Sequence, residues 1–312
     1  MIKNKEKNFV SAVVYLHNSE SFVGEFVEKI SKTLEENFLS FELICVDDGS
    51  TDNTVSVVKN IAEKSEKGTV SIIKLSNYQG YEAAMNAGVD LAIGDYVFEF
   101  DSAFIDYDIS LMMKLYQKSL EGYDVVSATN NRYKKGSSKL FYTLFNRSAN
   151  LQYKIKSESF RIVSRRAINK VYSMSKSVKY RKAFYANCGL KSANIEYDGT
   201  QKPAGITAVE RDYRTETAAT SLILFTDVAY KASIGISILM MIATVFMAIY
   251  SIITFATNNA IEGFTTTMLV VTGSFFAVFV LFAIVIKYLS ILVQLVFNRQ
   301  EYKIESIEKI SK

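Results

Sequence analysis

Two adjacent aspartates that follow a short apolar run are the side chains of this sequence best placed to bind a ligand. Residues 41–46 predict a buried strand. Asp47 and Asp48 then open the turn Asp-Asp-Gly-Ser-Thr-Asp, in which Thr51 or Asp52 can cap a following helix. In an open α/β sheet, ligands bind beyond the carboxyl ends of the strands, where carboxylates can bind a ribose, a base or a divalent cation. For this turn alone a solvated loop with a helix cap is the simpler interpretation, but the rest of the chain argues against it.

A third aspartate, Asp101, ends another predicted strand. The predicted strands are 9–16, 41–46, 70–75, 96–100 and 124–128, and the predicted helices between them are 21–38, 53–66, 81–92 and 109–120. This alternation indicates right-handed βαβ units around a mostly parallel sheet. The sequence therefore predicts a nucleotide-binding type of α/β domain with acidic residues at two strand ends.

The composition limits the chemistry that the chain can perform. Its 312 residues suffice for one large domain or two small ones, and 49% of them are hydrophobic. The single histidine, His17, excludes a histidine metal cluster and a Ser/His/Asp triad with spare bases. Cys45 and Cys188 are too few for a disulfide framework, and a net charge of +4 is too mild to indicate a nucleic-acid partner.

Two apolar runs near the C-terminus predict membrane spans. Residues 233–256 carry no charge, and at about 1.5 Å per residue such a helix crosses a bilayer core of roughly 30 Å. Residues 268–297 form the second run, and the loop 257–267 has Glu262 as its only charge. The positive-inside rule then predicts cytoplasmic termini and an extracytoplasmic loop. A buried helical hairpin of a soluble protein is the alternative, which the length and purity of the first run disfavour.

Two further segments are candidates for the membrane surface. Residues 214–231 have the apolar spacing of an amphipathic helix that lies on the inner face ahead of the first span. Residues 130–153 are basic and aromatic, and Arg132 lies near their start. This composition suits anionic lipid or a phosphate, whereas a solvated helix with one core face explains the same residues. The sequence favours neither of these two interpretations over the other.

With these elements in order, the chain resembles family 2 glycosyltransferases, and among them the polyisoprenyl-phosphate glycosyltransferases. Residues 47–52 match the nucleotide-binding turn of that family. The later matching pieces are, in chain order, Gly80 with Glu82-Ala83-Ala84 and Gly88, Gly94-Asp95-Tyr96 leading to Asp101, Phe160-Arg161 with Arg165, Ala204-Gly205 with Thr207, Tyr288-Leu289, and 298–302. The order of these pieces ahead of two predicted spans is very specific, and the resemblance covers nearly the whole chain.

The resemblance implies a domain layout and a reaction. The layout is a GT-A, Rossmann-like cytoplasmic domain over 1–213, the interface helix 214–231, the spans 233–256 and 268–297, and a cytoplasmic tail 298–312. The reaction is inverting transfer of a sugar from a nucleotide sugar to a polyisoprenyl phosphate such as undecaprenyl phosphate. In the family, Mg²⁺ or Mn²⁺ bound by an Asp-x-Asp motif neutralises the leaving diphosphate, and basic residues position the acceptor phosphate.

The resemblance also implies roles for particular residues. Asp101 is a catalytic residue and the metal ligand, and Arg161 is the second catalytic residue. The candidates for the nucleotide are Asn18, Glu20, Asp47, Asp48 and Gly80. The candidates for the lipid phosphate are Arg132, Lys202 and Thr207.

The sequence departs from the family at several of these positions. Asp101-Ser102-Ala103 keeps the first carboxylate of the Asp-x-Asp motif and lacks the second, so it implies a weaker metal site. The acidic residue that the family usually places before Phe-Arg has no counterpart within Ile155-Lys156-Ser157. Lys202 replaces an arginine, and Ala208 replaces a lysine.

Two functions therefore stay open. The first is a working lipid-phosphate glycosyltransferase of the bacterial inner membrane, whose partners are a nucleotide sugar, the polyisoprenyl phosphate, the bilayer and further copies of the chain. The second is a catalytically impaired relative that serves a partner enzyme as a nucleotide-sugar-binding, lipid-binding or scaffold subunit. The intact turn 47–52 favours the first, because a scaffold does not need it. A processive polysaccharide synthase is disfavoured, because the chain has two predicted spans and lacks the tryptophan of a Gln-x-x-Arg-Trp motif.

Overall fold

A computed structural model describes most of the first two thirds of the chain and a short C-terminal segment. The described residues are 5–64, 68–132, 136–149, 152–174, 180–200, 208–226 and 302–310, together with isolated positions between 235 and 292. The chain divides into two compact units, one of residues 1–218 with 299–312 and one of residues 219–298.

The described strands of the first unit form one sheet. They are β1 Val10–Leu16, β2 Phe41–Asp47, β3 Thr69–Leu75, β4 Tyr96–Phe100, β5 Val125–Asn130, β6 Phe160–Ser164, β7 Ser192–Tyr197 and β8 Ile304–Ile310. Their spatial order is β7-β5-β6-β4-β1-β2-β3-β8. The pairs β1–β2, β1–β4, β2–β3 and β5–β7 are parallel, whereas β6 and β8 pair antiparallel with their neighbours. The predicted α/β fold with a mostly parallel sheet is confirmed.

Helices cover both faces of this sheet. They are α1 Glu20–Asn37, α2 Thr54–Ala62, α3 Tyr81–Leu91, α4 Leu111–Leu120, α5 Gly136–Ser148, α6 Arg165–Met174, α7 Arg181–Asn187 and α8 Ala208–Phe225. The core on one face contains residues of α1, α2 and α4, and the core on the other contains residues of α3, α6 and α7. In β1, Val10, Ala12 and Val14 face the first core, whereas Val13 and Tyr15 face the second. A strand buried on both faces has no polar alternation, which explains the continuous apolar runs of the sequence.

The predicted and described elements differ mainly at their ends. Helix α4 begins at Leu111 instead of 109, because the Asp108 carboxylate accepts a hydrogen bond from the Ser110 backbone N–H at 2.8 Å and forms a turn there. Strand β5 continues to Asn130 instead of 128, because Asn130 pairs with Tyr197 of β7. These ends are therefore set by a hydrogen bond and by strand pairing, which the spacing of apolar residues does not predict.

The C-terminal residues form a strand that the sequence did not predict. The segment 298–312 was expected to be a tail, whereas β8 within it pairs antiparallel with β3 at the edge of the sheet. The isoleucines of β8 lie three residues apart, so the period of two that indicates a strand is missing. The Lys59 ammonium on α2 contacts the Glu308 carboxylate of β8 at 2.5 Å.

The predicted membrane part lies mostly outside the described residues. The segments 233–256, 257–267 and 268–297 contain only isolated described positions. The predicted interface helix 214–231 overlaps α8, which begins earlier, at Ala208, and is described as far as Phe225. Within the part of the chain that the structure describes, no helix is both long enough and apolar enough to cross a membrane.

Candidate active site

Strand ends bring the predicted acidic residues to one edge of the sheet. Strands β1, β2 and β4 are adjacent and parallel, so Asp47 and Asp48 at the end of β2 lie at the same edge as Asp101 after β4. Strand β6 runs antiparallel to β4 and places Arg161 opposite Glu99. The start of β6 therefore reaches the edge where β4 ends.

Asp48 is buried and binds the backbone of the neighbouring turn. Its Oδ1 accepts a hydrogen bond from the Gln79 N–H at 2.7 Å, and its Oδ2 accepts one from the Gly80 N–H at 2.8 Å. The Tyr15 hydroxyl donates to the same Oδ2 at 3.2 Å. Burial raises the pKa of Asp48, and these hydrogen bonds oppose the rise. Both oxygens of Asp48 thus fix the turn that leads into α3.

Gly80 lies where a side chain would not fit. Its φ of +91° is in the left-handed region, and a Cβ at this position would lie 2.1 Å from the ring of Tyr213 on α8. The Tyr213 hydroxyl accepts a hydrogen bond from the Glu82 N–H at 3.3 Å. The predicted nucleotide-binding glycine therefore allows α8 to pack against the start of α3.

Asn18 and Glu20, the other predicted nucleotide ligands, bind the acidic turn itself. The Asn18 Oδ1 accepts a hydrogen bond from the Thr51 N–H at 2.8 Å. The Glu20 carboxylate accepts two from Asn53, one from its N–H at 3.2 Å and one from its side-chain amide at 3.0 Å. These contacts fix the turn between β2 and α2 from the side of β1.

Asp47 differs from its neighbours in having capacity for a ligand. Its side chain is buried, and its Oδ1 has no hydrogen-bond partner among the described residues. Burial raises the pKa of Asp47, and hydrogen bonds from Ser50 oppose that rise. Of Asp47 and Asp48, Asp47 is therefore the one with a carboxylate oxygen that lacks a hydrogen-bond partner among the described residues.

Asp101 lies among cationic side chains. Its Oδ1 accepts hydrogen bonds from the Tyr81 hydroxyl at 2.5 Å and from Arg161 Nη2 at 3.3 Å. Its Oδ2 accepts one from Lys182 Nζ at 3.2 Å. The Asp101 side chain is 24% exposed. Asp101 and Arg161, the two predicted catalytic residues, are therefore in direct contact.

Behind Asp101 lies a buried network of charges. Glu99 is fully buried, and its carboxylate contacts Arg161 Nη1 at 3.3 Å and Arg181 Nη2 at 2.8 Å. Glu158 contacts Arg161 Nε at 3.1 Å. Charges removed from water need such partners, because an unpaired buried charge is strongly destabilising. Arg161 is thus both a neighbour of Asp101 and the centre of this network.

Glu82 extends the same network from α3. Burial raises its pKa from 4.5 to about 7, against a hydrogen bond from the Arg181 N–H and the nearby positive charges. Near neutral pH both the charged and the neutral form of the Glu82 carboxyl are therefore populated.

A cavity of about 540 Å³ opens in front of Asp101. Its described walls include the end of β4, the start of α3, the loop before β6, and parts of α5, of α7 and of the first-unit section of α8. Among the described residues, the acidic ones that line it are Glu82, Asp101, Asp106 and Glu158, and the basic ones are Lys182, Arg211 and Arg214. Tyrosines also line it, at positions 15, 78, 81, 142, 180 and 213. The cavity therefore combines aromatic surface with charges of both signs.

The predicted metal site can be tested against these contacts. Ala103 supplies no ligand, and both Asp101 oxygens already accept hydrogen bonds. Lys182 Nζ lies 3.2 Å from Oδ2, so its ammonium competes with a divalent ion for that oxygen and repels the ion. Among the described residues, no group of three or more His, Cys, Asp or Glu side chains could bind a metal ion. The residues around Asp101 do not fit Mg²⁺ or Mn²⁺.

The predicted lipid-phosphate residues are not brought together within the described part of the chain. Lys202 and Thr207 lie outside the described residues. Arg132 follows the end of β5, where its N–H donates to Asn130 Oδ1 at 2.9 Å, and it is not among the described residues that line the cavity. Arg211 and Arg214 are exposed and do line it.

Sequence patterns missed several residues of this site. Glu158 lies two residues before Phe160, next to the segment searched for an acidic residue, and its position before Phe-Arg could have identified it. Lys182 and Arg181 gave no local signal, because only the packing of α7 against β4 places them at Asp101 and Glu99. Residue 211 precedes the predicted interface helix, so its arginine fell outside the pattern that indicated that helix.

A comparison with solved structures identifies the fold. A mannosyltransferase of Pyrobaculum calidifontis, solved in complex with GDP-Man and Mn²⁺, has a TM-score of 0.51 with this chain at 15% identity. The alignment covers 70% of this chain and 63% of that chain. At such low identity the likeness shows the fold alone, and that fold is the predicted GT-A fold.

Sequence comparison then gives the family. Residues 11–172, more than half of the chain, match the family described as glycosyl transferase family 2, and the chain belongs to that family. An uncharacterized glycosyltransferase of Synechocystis is 26% identical over 204 residues, which cover 64% of this chain and 63% of that protein. A prophage bactoprenol glucosyl transferase homolog of Escherichia coli K12 is 28% identical over 204 residues, with coverages of 64% and 66%. The match therefore spans less than two thirds of these relatives.

Proposed function

We propose that this chain is a membrane-bound inverting glycosyltransferase that moves a sugar from a nucleotide sugar to a polyisoprenyl phosphate. The observation that carries the proposal is the cavity in front of Asp101, which Lys182, Arg211 and Arg214 also line. Two anionic substrates, a diphosphate and a lipid phosphate, need such basic groups on either side of the transferred sugar. Family membership and relatives named bactoprenol glucosyl transferases support the same choice of acceptor.

The donor is proposed to bind across the carboxyl ends of β1, β2 and β4. Asp47 offers a buried acceptor to the nucleoside, and the turn around it is fixed by Asn18, Glu20 and Asp48. The diphosphate and the sugar then extend into the cavity towards Asp101. This assignment keeps the turn as the nucleotide site while giving most of its polar residues a positioning role.

The acceptor phosphate is proposed to bind near the exposed Arg211 and Arg214 of α8. These arginines lie ahead of the predicted spans in the sequence, where a lipid head group would reach the protein. Arg132, Lys202 and Thr207 stay candidates for the same phosphate. Because the acceptor oxygen is already anionic, the reaction needs no general base.

The second unit supports a membrane location and an assembly of several copies. Its described positions carry exposed large apolar side chains at Leu239, Ile242, Phe246, Val271, Phe275, Val278, Phe282, Val285, Leu289 and Leu292. Exposed apolar side chains at helical spacing suit contact with lipid or with another apolar helix. We propose the bacterial inner membrane as the location, with both termini in the cytoplasm and further copies joined through the membrane helices.

A catalytically impaired family member is the second candidate. The observations that favour it are the missing carboxylate at Ala103 and the hydrogen bonds that occupy both oxygens of Asp101. Such a protein would bind a nucleotide sugar or a lipid phosphate as the subunit of a partner enzyme, without turnover.

One experiment separates these candidates. The detergent-purified chain is titrated with a panel of UDP-, GDP- and dTDP-sugars, and each donor is then incubated with undecaprenyl phosphate and assayed for lipid-extracted sugar. Lipid-linked product identifies the enzyme and its donor. Binding without product would support the impaired subunit, and failure of every donor to bind would overturn both the enzyme and a nucleotide-sugar-binding subunit.

A further inference from the structure

We infer that Lys182 supplies the positive charge opposite the leaving diphosphate, so that this site works without a bound divalent metal ion. The inference rests on the proposed function, which it deepens by naming what replaces the metal. Its basis is the contact between Lys182 Nζ and Asp101 Oδ2 at 3.2 Å, at the wall of the cavity.

The side chains of Lys182 and its neighbour Arg181 have different surroundings. The Arg181 guanidinium is buried and contacts Glu99 and Asn86, so its charge is used within the protein. The Lys182 side chain is 10% exposed and lines the cavity. Lys182 is therefore the cation of α7 that a ligand in the cavity can reach.

The Lys182 ammonium stays charged and has donors to offer. Burial lowers its pKa, but Asp101, Tyr142 and Glu158 together outweigh this effect, and the net shift of the pKa is upward. An ammonium has three N–H donors, and Asp101 accepts from one of them. The others can bind phosphate oxygens, and the Asp101 contact orients the ammonium beside the cavity.

The single carboxylate of this site matches a single cation better than a divalent one. A divalent ion at a single carboxylate takes its other ligands from water and from the substrate phosphates, whereas here that carboxylate already accepts a hydrogen bond from the Lys182 ammonium, whose remaining donors face the cavity. The loss of the second acidic residue at Ala103 and the contact with Lys182 thus belong to one arrangement. Asp101 becomes a positioning residue for Lys182 instead of a metal ligand.

The transfer step balances without a metal ion or a proton transfer. An oxygen of the acceptor phosphate forms a bond to the anomeric carbon as the bond from that carbon to the diphosphate oxygen breaks. The electron pair of the broken bond stays on the diphosphate, which gains one negative charge. Lys182 keeps its proton and donates a hydrogen bond to the departing diphosphate.

The test measures nucleotide binding and metal binding separately. Calorimetric titrations with UDP, GDP and dTDP are run in EDTA and in Mn²⁺, and the free Mn²⁺ signal is followed by electron paramagnetic resonance. We expect one nucleotide to bind equally well in both buffers, with no Mn²⁺ taken up by the protein. Lys182→Met should weaken that binding about tenfold or more in EDTA, as expected for loss of a charge-assisted hydrogen bond. Lys182→Arg should restore most of it.

Lys118→Met is the matched control, because Lys118 lies on α4 in an exposed pair with Glu121 and away from the cavity. It should bind as the wild type does. Binding that requires Mn²⁺ in the wild type would overturn the inference and leave the proposed function intact, even if Lys182→Met does not fold. Binding that is unchanged in a folded Lys182→Met would also overturn it. If none of the three nucleotides binds in either buffer, the proposed function fails together with the inference.

Discussion

The two acidic strand ends of this domain look alike in sequence and differ in their partners. Asp48 at the end of β2 accepts hydrogen bonds from two backbone N–H groups and a tyrosine. Asp101 at the end of β4 accepts them from an arginine, a lysine and a tyrosine. The first carboxylate orders a turn, and the second orders charged side chains beside a cavity. The position of a carboxylate at a strand end therefore does not define its role, whereas its donors do.

The two strand ends also differ in burial. Asp48 is 0% exposed, and the Asp101 side chain is 24% exposed. A ligand can reach Asp101 and its cationic neighbours, while Asp48 is covered by the turn that it fixes. Changes at the two ends should accordingly affect different measurements.

The largest expected effect lies in the buried charges behind Asp101. Arg161→Met removes the guanidinium that Glu158 contacts and takes one of two cations from Glu99, so we expect the free energy of unfolding to fall by about 3–5 kcal/mol. Arg147→Met, at an exposed position of α5, is the matched control. Denaturant titration measures both variants. A change at Arg161 no larger than the control would contradict the described network.

The next effect depends on pH and concerns Glu82. Its folded pKa of about 7 lies above the ordinary 4.5, so between these pH values the folded protein binds more protons, and its free energy of unfolding falls as pH rises. The amide of Glu82→Gln does not titrate. At pH values above both pKa values we expect the variant to be more stable than the wild type by up to about 3 kcal/mol, and this advantage should vanish at acidic pH. Stability curves of the two proteins that run parallel across pH would show that Glu82 is not the titrating group.

A smaller effect compares the two strand ends directly. In Asp48→Asn an amide NH₂ replaces one of the oxygens that face the N–H groups of Gln79 and Gly80, so we expect a loss of about 1–3 kcal/mol in the free energy of unfolding. Asp101→Asn should cost less stability, because its carboxylate is partly exposed. The two variants are compared by denaturant titration, and a reversed order would remove the distinction drawn between the two ends.

The smallest effect is expected at β8, on the edge of the sheet and away from both acidic strand ends. Glu308→Ala removes the ion pair with Lys59, and the two side chains of that pair are 39% and 36% exposed. Exposed pairs contribute little, so the free energy of unfolding, measured by denaturant titration, should change by less than about 1 kcal/mol. A larger loss would mean that β8 contributes more to the sheet than its edge position indicates.

Much of the fold could be predicted from local patterns, and the site only in outline. The apolar runs predicted strands β1 to β5, and the turn 47–52 and Asp101 were correctly placed at strand ends. Strand β8 was missed because its residues pair with β3, far away in the sequence, and lack a period of two. Lys182 was missed for the same kind of reason, since the contact with Asp101 exists only once α7 packs beside β4.

The most direct test of the proposed site is the rate of sugar transfer by Asp101→Asn, measured with the donor that the wild type uses and with undecaprenyl phosphate. Asp95→Asn, at the opposite end of β4, is the matched control. We expect the rate to fall about 100-fold in Asp101→Asn, because Lys182 and Arg161 lose the carboxylate that positions them, and to stay within about twofold in the control. A folded Asp101→Asn that transfers sugar at the wild-type rate would contradict the assignment of this cavity as the active site.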